Sequence, residues 1–131
     1  NDQFLFGEKI IQNDDHLKLI QNALDVATNE WRGTSYRSRL KGDFKYCGKT
    51  GTSQVRKITQ EQRDLNIKNK DLPWKYRDHS LFTGYGPVSN PEYAVSVIID
   101  HGGSGSSKAA PISKKIMSKV FELYYQKEKN V

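Results

Sequence analysis

The run Tyr93-Ala94-Val95-Ser96-Val97-Ile98-Ile99-Asp100 constrains the fold of this chain more than any other stretch. It is rich in β-branched residues, contains no proline and is apolar on nearly both faces. Such a run reads as a strand that needs helices on each side of its sheet. The residues ahead of it, Ser80-Leu81-Phe82-Thr83-Gly84-Tyr85-Gly86, read as a second strand. Between them, Pro87-Val88-Ser89-Asn90-Pro91-Glu92 carries turn residues, so the pair forms an antiparallel hairpin. Beyond the hairpin, Gly102-Gly103-Ser104-Gly105-Ser106-Ser107 reads as a flexible loop. A helix is then expected from about Lys108 to Lys127, with Pro111 in its first turn, where a missing amide costs nothing. Ile112, Ile116, Val120 and Leu123 form its apolar stripe, widened by Met117 and Tyr124, with Lys114, Lys115 and Lys119 facing away.

Upstream, Phe4-Leu5-Phe6 and Ile10-Ile11 read as a short extended stretch. Asn13-Asp14-Asp15 supplies helix-start chemistry: side-chain acceptors for free amides, and negative charge at the positive end of the helix dipole. Leu17, Ile20, Leu24 and Ala27 follow at helical spacing to about Thr28, and Gly33 is a reasonable stop. His16 falls in the first turn and reads as an exposed helix residue. A third strand runs over Tyr46-Cys47-Gly48-Lys49-Thr50-Gly51-Thr52-Ser53-Gln54-Val55. Arg56 to Asp78 is a long polar segment without sustained periodicity, its end pinned by Leu72, Pro73, Trp74 and Tyr76. The order is helix, strand, long loop, hairpin, helix. That is an α+β fold: an antiparallel sheet of at least three strands flanked by N- and C-terminal helices.

Composition narrows the function classes. The 131 residues fit one domain, and no apolar run approaches a membrane span. The first residues lack the basic start and long apolar middle of a signal peptide. The single cysteine, Cys47, rules out an internal disulfide and a multi-cysteine zinc site. The net charge of +6 comes from scattered lysines rather than a recognisable nucleic-acid module, so no nucleic-acid partner is expected.

The chemistry concentrates on the third strand. Lys49 beside Thr50 offers a positive charge and a hydroxyl, a pair suited to holding a carboxylate. Gly51 weakens the strand unless something must come close to its backbone. A Gly-interrupted edge strand with an exposed lysine is the alternative for the tripeptide alone. Two nearby patterns mislead. Ser38-Arg39-Leu40-Lys41 has the spacing that lets a lysine activate a serine one helical turn away, yet it runs into Gly42-Asp43 with no helix to follow. Gly42 to Gly48-Lys49-Thr50 imitates a phosphate-binding loop, which needs four residues between its glycines where this chain has five.

Taken in order, these stretches resemble a known family. Gly48-Lys49-Thr50-Gly51-Thr52-Ser53-Gln54-Val55 is similar to the third active-site motif of penicillin-binding transpeptidases. Asp78-His79-Ser80-Leu81-Phe82-Thr83-Gly84-Tyr85-Gly86-Pro87 resembles the strand that follows it there. Asn90 to Val95, His101-Gly102-Gly103 and Ala109-Ala110-Pro111-Ile112 resemble the next strand, glycine loop and final helix. Leu17 to Asn29 with Gly33-Thr34 resembles the helix and turn preceding the motif. The likeness covers nearly the whole chain and is closest to the class B members of the elongation type, penicillin-binding protein 2.

The resemblance implies a partial β-lactamase/transpeptidase-like fold, with residues 1–131 as the C-terminal portion of the domain and 56–79 as a long polar loop within it. It implies a peptidoglycan D,D-transpeptidase that cross-links stem peptides ending in D-Ala-D-Ala by serine acyl transfer and that binds penicillin. Lys49 would lie beside the catalytic serines, supplying positive potential and a hydrogen bond for proton traffic. The hydroxyls of Thr50 and Thr52 would hold the carboxylate of the substrate or of a β-lactam antibiotic. The Thr52 backbone amide would give one oxyanion-hole donor, a contribution of ~3–4 kcal/mol in acyl transfer. Gly51 would leave room for substrate backbone along the strand. No metal or cofactor enters this scheme. The family also needs a Ser-x-x-Lys nucleophile and a Ser-x-Asn upstream; no Ser-x-Asn occurs here, and Lys41 of the only Ser-x-x-Lys lies eight residues before Lys49. The nucleophile is therefore expected outside this chain, in a missing N-terminal part of the same domain, and the chain alone is expected to be inactive. The parent would sit on the periplasmic side of the bacterial inner membrane, held by an N-terminal segment outside this chain. A serine β-lactamase and a non-catalytic penicillin-sensor or scaffold domain of the same fold are the alternatives. An exposed edge at Tyr93 to Asp100 would invite self-association.

Overall fold

The computed structural model of the chain describes residues 10–42, 44–65 and 67–125. The expected extended stretch at Phe4-Leu5-Phe6 lies outside them, and Ile10 is fully exposed with no strand at 10–11.

Helix α1 spans Asp14–Asn29. Asn13 caps it as expected, its side-chain oxygen accepting the Asp15 amide at 2.8 Å, and Asp14 and Asp15 occupy the positive end of the dipole. The helix stops where the chain folds back: the Ser35 amide bonds the Ala27 carbonyl at 3.1 Å. Gly33 is required in that turn because a Cβ there would stand 2.3 Å from the Ala27 oxygen. Only Thr28 of α1 is buried among its described residues, and Ile20 of the expected stripe is exposed. The stripe leans on β1 rather than sinking into a core.

Strands β1 (Cys47–Ser53), β2 (His79–Gly86) and β3 (Tyr93–Ile99) form an antiparallel sheet in the order β1-β2-β3. Strand β1 starts one residue later and ends two earlier than expected. The register pairs Gly48 with Gly84 and Thr50 with Phe82, and Phe82 with Val97 across β2 and β3. Opposed residues share a face, so Gly48, Phe82, Gly84, Val95 and Val97 all point one way. The Phe82 ring lies over the two glycines: a Cβ at Gly48 would be 2.6 Å from that ring and one at Gly84 would be 2.9 Å.

Helix α3 (Ala109–Tyr125) closes that face. Its buried residues are Ala109, Ala110, Ser113, Met117 and Phe121, which form the core with Tyr46, Phe82, Val95 and Val97. Burying a Phe or Met side chain is worth about 1.5–3 kcal/mol, so Phe82, Met117 and Phe121 anchor the helix to the sheet. The expected stripe of α3 needs correction. Ile112, Ile116, Leu123 and Tyr124 are exposed, because the residues that reach the sheet start from the small Ala109-Ala110 pair, which lets the helix approach closely.

Strand β3 also departs from expectation. Val95 and Val97 are buried but Ala94, Ser96 and Ile98 are exposed, so helices cover one face of this strand and not both among the described residues. The residue alternation was there to read; the apolar Ile98 masked it. The long polar segment holds a short helix α2 (Gln60–Asp64) and two 3-10 turns, Asn69–Asp71 and Trp74–Tyr76. No helix among the described residues is long and apolar enough to cross a membrane.

Candidate functional site

The Lys49-Thr50-Gly51-Thr52 stretch lies on β1, one of the two outer strands of the sheet. Its open edge is defined by Thr28. The buried Thr28 hydroxyl accepts the Gly48 amide and donates to the Gly48 carbonyl, both at 3.0 Å. Gly48 therefore turns its backbone groups away from β2. In an antiparallel ladder residues alternate between facing the partner and facing outward, so the backbone N–H and C=O of Thr50 and Thr52 face the same outer edge. Thr28 closes the start of that edge; from Thr50 onward no other strand pairs with it among the described residues.

Lys49 and Thr50 meet at this edge. The Lys49 ammonium donates to the Thr50 carbonyl at 3.0 Å and to its hydroxyl at 3.2 Å. The Thr50 hydroxyl in turn donates to the Thr34 hydroxyl at 3.3 Å. Among the described residues no carboxylate pairs with this ammonium. Thr52 stands on the same face of β1 as Thr50 and is exposed, with no hydrogen bond to Lys49 or Thr50. An ammonium, hydroxyls and outward amides along one edge can hold an anion and an extended chain together.

Gly51 is supported from beneath. Ser80 lies on the α3 side of the sheet, and its hydroxyl donates to the Ser104 carbonyl at 3.0 Å while accepting the Ala109 amide at 3.1 Å. This brings Gly105 against the strand seam, where a Cβ would stand 2.4 Å from the Gly51 carbonyl oxygen and 2.6 Å from that of Leu81. The 102–107 loop, expected to be simply flexible, has Gly103 and Gly105 buried and is tied by hydrogen bonds to β2 and α3. Serines and glycines there serve close approach.

Sequence reasoning missed Thr28, Thr34 and Gly105. Thr34 belonged to a recognised Gly-Thr turn, which was the available signal; Thr28 looked like the last residue of a stripe. The Ser38–Lys41 pattern has no catalytic geometry. Ser38 is buried in a 3-10 turn, Tyr36–Ser38, its carbonyl accepting the Tyr46 hydroxyl at 2.9 Å, while Lys41 is exposed and not bonded to it. Cys47 is fully buried, and burial pushes its thiol up, so it is a poor nucleophile. No cluster of three or more His, Cys, Asp or Glu suited to a metal ion occurs among the described residues. Beside Thr34 an open groove of about 860 Å³ runs between the 36–38 turn and α3, bordered by Trp31, Arg37, Lys114, Lys115 and Lys119.

Known proteins are similar to this chain. Residues 8–118 match the family described as "Penicillin binding protein transpeptidase domain". The chain is 33% identical over 104 residues to peptidoglycan D,D-transpeptidase MrdA of Salmonella typhimurium, covering 79% of this chain and 16% of that protein. It is 29% identical over 123 residues to peptidoglycan D,D-transpeptidase FtsI of Buchnera aphidicola, covering 91% of this chain and 18% of that protein. Among solved structures it is similar to the Helicobacter pylori penicillin-binding protein PBP2 seen in complex with MreC. That match has a TM-score of 0.68 and 28% identity, over 85% of this chain and 18% of the other. The chain thus spans about 16% of the length of the MrdA relative.

Proposed function

The chain belongs to the penicillin-binding protein transpeptidase domain family, and from that membership we propose that it forms the substrate-binding wall of a peptidoglycan D,D-transpeptidase. The observation that carries this reading is the open edge of β1, where Lys49, Thr50 and the outward amides face one direction. A stem peptide ending in D-Ala-D-Ala adds along this edge as a further extended strand, its terminal carboxylate against the hydroxyls of Thr50 and Thr52. The family's serine attacks the carbonyl of the penultimate D-alanine. A C–O bond forms, the peptide C–N bond breaks, the terminal D-alanine leaves with a proton, and the acyl group passes to an amine of a neighbouring stem. The Thr52 amide stabilises the oxyanion of each tetrahedral intermediate. Lys49 holds positive potential beside the nucleophile. A β-lactam occupies the same wall through its own carboxylate.

The nucleophile belongs to a part of the parent outside these 131 residues. Its place is beside Lys49 and Thr34, where the Thr50 hydroxyl joins the two. The parent works on the periplasmic side of the bacterial inner membrane. Strand β3 ends the sheet of the described residues, with β2 as its one strand neighbour, so its outer edge pairs with a second copy in the isolated chain. Sizing in solution tests this, and a monomer at high concentration contradicts it.

Fluorescent penicillin tests the main reading. A parent carrying this chain forms a stable acyl adduct, lost when Lys49 is replaced by Ala. A short-lived adduct indicates a β-lactamase, and none indicates a sensor or scaffold. The chain alone remains unlabelled; labelling at Ser38 overturns the assignment.

A further inference from the structure

The substrate-facing strand is braced by a pair of histidines that the catalytic scheme does not use. His79 opens β2, opposite Ser53 of β1 and half-buried. Its Nδ1 accepts the backbone amide of His101 at 3.0 Å. His101 has φ 52, the left-handed region that a non-glycine residue occupies only when its surroundings hold it there. Three further contacts do so. Its Nδ1 donates to the Arg77 carbonyl at 2.9 Å, since a carbonyl can only accept. Its ring packs against Trp74 at 4.4 Å and against His79 at 4.8 Å between centroids.

From His101 the chain turns directly beneath the candidate site. The Gly103 amide bonds the Asp78 carbonyl at 2.8 Å, the Ser104 carbonyl takes the Ser80 hydroxyl at 3.0 Å, and Gly105 abuts the backbone of Gly51. Gly105 then accepts the Ala110 amide at 2.9 Å, in the first turn of α3. Each step leaves little slack, so the direction taken at His101 is passed to Gly51.

We propose that His79 is a positioning residue for the substrate wall: its unprotonated Nδ1 holds the His101 amide and, through the 101–105 loop, fixes the backbone of Gly51 and Thr52. The arrangement makes the wall sensitive to acid. Protonated Nδ1 becomes a donor and cannot accept the His101 amide. An alternative acceptor is already in place, since the exposed Asp100 carboxylate lies 3.4 Å from that nitrogen. The other charged groups around it do not compete for the nitrogen. Asp78 is engaged by the Asn69 side chain, and the Arg77 guanidinium bonds the carbonyls of Leu72 and Lys70. Strand β1 presents only the neutral Ser53, and His101 already donates its own Nδ1 to Arg77. Acidification therefore moves His79 from the His101 amide to Asp100 and loosens the loop.

The importance of this device for catalysis rests on the proposed function; its contacts do not, and the test is made without penicillin or substrate. Backbone NMR of the 131-residue chain follows the amides of His101, Gly105, Gly51 and Thr52 as pH is lowered, in the native chain, His79→Asn and His79→Leu. In the native chain, protection of the His101 amide falls about five- to tenfold on acidification, the size expected for one hydrogen bond. The Gly105, Gly51 and Thr52 signals shift with the same midpoint. His79→Asn supplies an acceptor that does not titrate and keeps protection at every pH, whereas His79→Leu lacks it even at neutral pH. Persistence of the transition in His79→Asn, or a His101 transition that leaves Gly51 and Thr52 unmoved, overturns the proposal.

Discussion

Replacing Thr28 by Val tests how β1 is held. The side chain is fully buried, and its one hydroxyl satisfies both the amide and the carbonyl of Gly48 at 3.0 Å. Valine keeps the shape and removes both bonds at once. Water cannot replace the hydroxyl at a site with no exposure, so two backbone groups are left buried and unpaired. Each such group costs about 1–3 kcal/mol, and the extra apolar methyl returns little, giving a net loss of about 2–4 kcal/mol. A domain is stable by only about 5–15 kcal/mol, so this is a large share. In urea, where ΔG falls by about 1–3 kcal/mol per M, the midpoint should drop by about 1–2 M. Thr28→Ser separates hydroxyl from shape: it keeps both bonds, loses one methyl group, and should cost no more than about 1 kcal/mol. A valine variant within about 0.5 kcal/mol of the native chain, or one no worse than serine, refutes the argument that this hydroxyl closes the strand edge.

Two further perturbations follow from the same contacts. Gly105→Ala forces a Cβ to 2.4 Å from the Gly51 carbonyl and should destabilise the chain by at least about 2 kcal/mol in thermal unfolding, whereas Gly51→Ala meets the Leu81 Cβ at 3.2 Å, which asks for a shift of only a few tenths of an ångström, and should cost about 1 kcal/mol. Burial pushes the Tyr46 phenol up from 10.0 to about 12. The folded state thus keeps this proton longer than the unfolded chain does, so the contribution is intact below pH 10 and is lost as pH rises toward 12. Circular dichroism with phenolate absorbance should show unfolding and tyrosine ionisation together, and Tyr46→Phe should reduce that alkaline dependence, with burial of Tyr85 and Cys47 sustaining the rest, while costing about 1 kcal/mol at neutral pH.

Much of the architecture was legible because local chemistry and tertiary demand agree. Asn13-Asp14-Asp15 carries its cap chemistry within three adjacent residues, and the proline-containing connection favours a hairpin. The helix faces were less legible. Ile112, Ile116 and Leu123 are apolar and helically spaced, yet it is Ala109, Ala110, Met117 and Phe121 that reach the sheet, because close packing selects shape as well as hydrophobicity. Ile98 misled in the same way on β3. At the site, Lys49 to Thr52 could be named from sequence, since the pattern is contiguous. Thr28, Thr34 and Gly105 could not, because they join the strand only through folding, and a Gly-Ser loop reads as slack until its neighbours are known.

We propose that hydroxyls on the open edge of β1 hold a substrate carboxylate. Thr52 is exposed and bonds neither Lys49 nor Thr50, so Thr52→Val should leave stability within about 0.5 kcal/mol of native. The direct measurement is the acylation rate of a nucleophile-bearing parent by penicillin, and by a penicillin whose carboxylate is esterified. A hydrogen bond to a charged group is worth about 1.5–3 kcal/mol, so Thr52→Val should slow acylation by the free acid about ten- to hundredfold and leave the ester almost unaffected. An unchanged rate with the free acid, or an equal loss with acid and ester, contradicts the account.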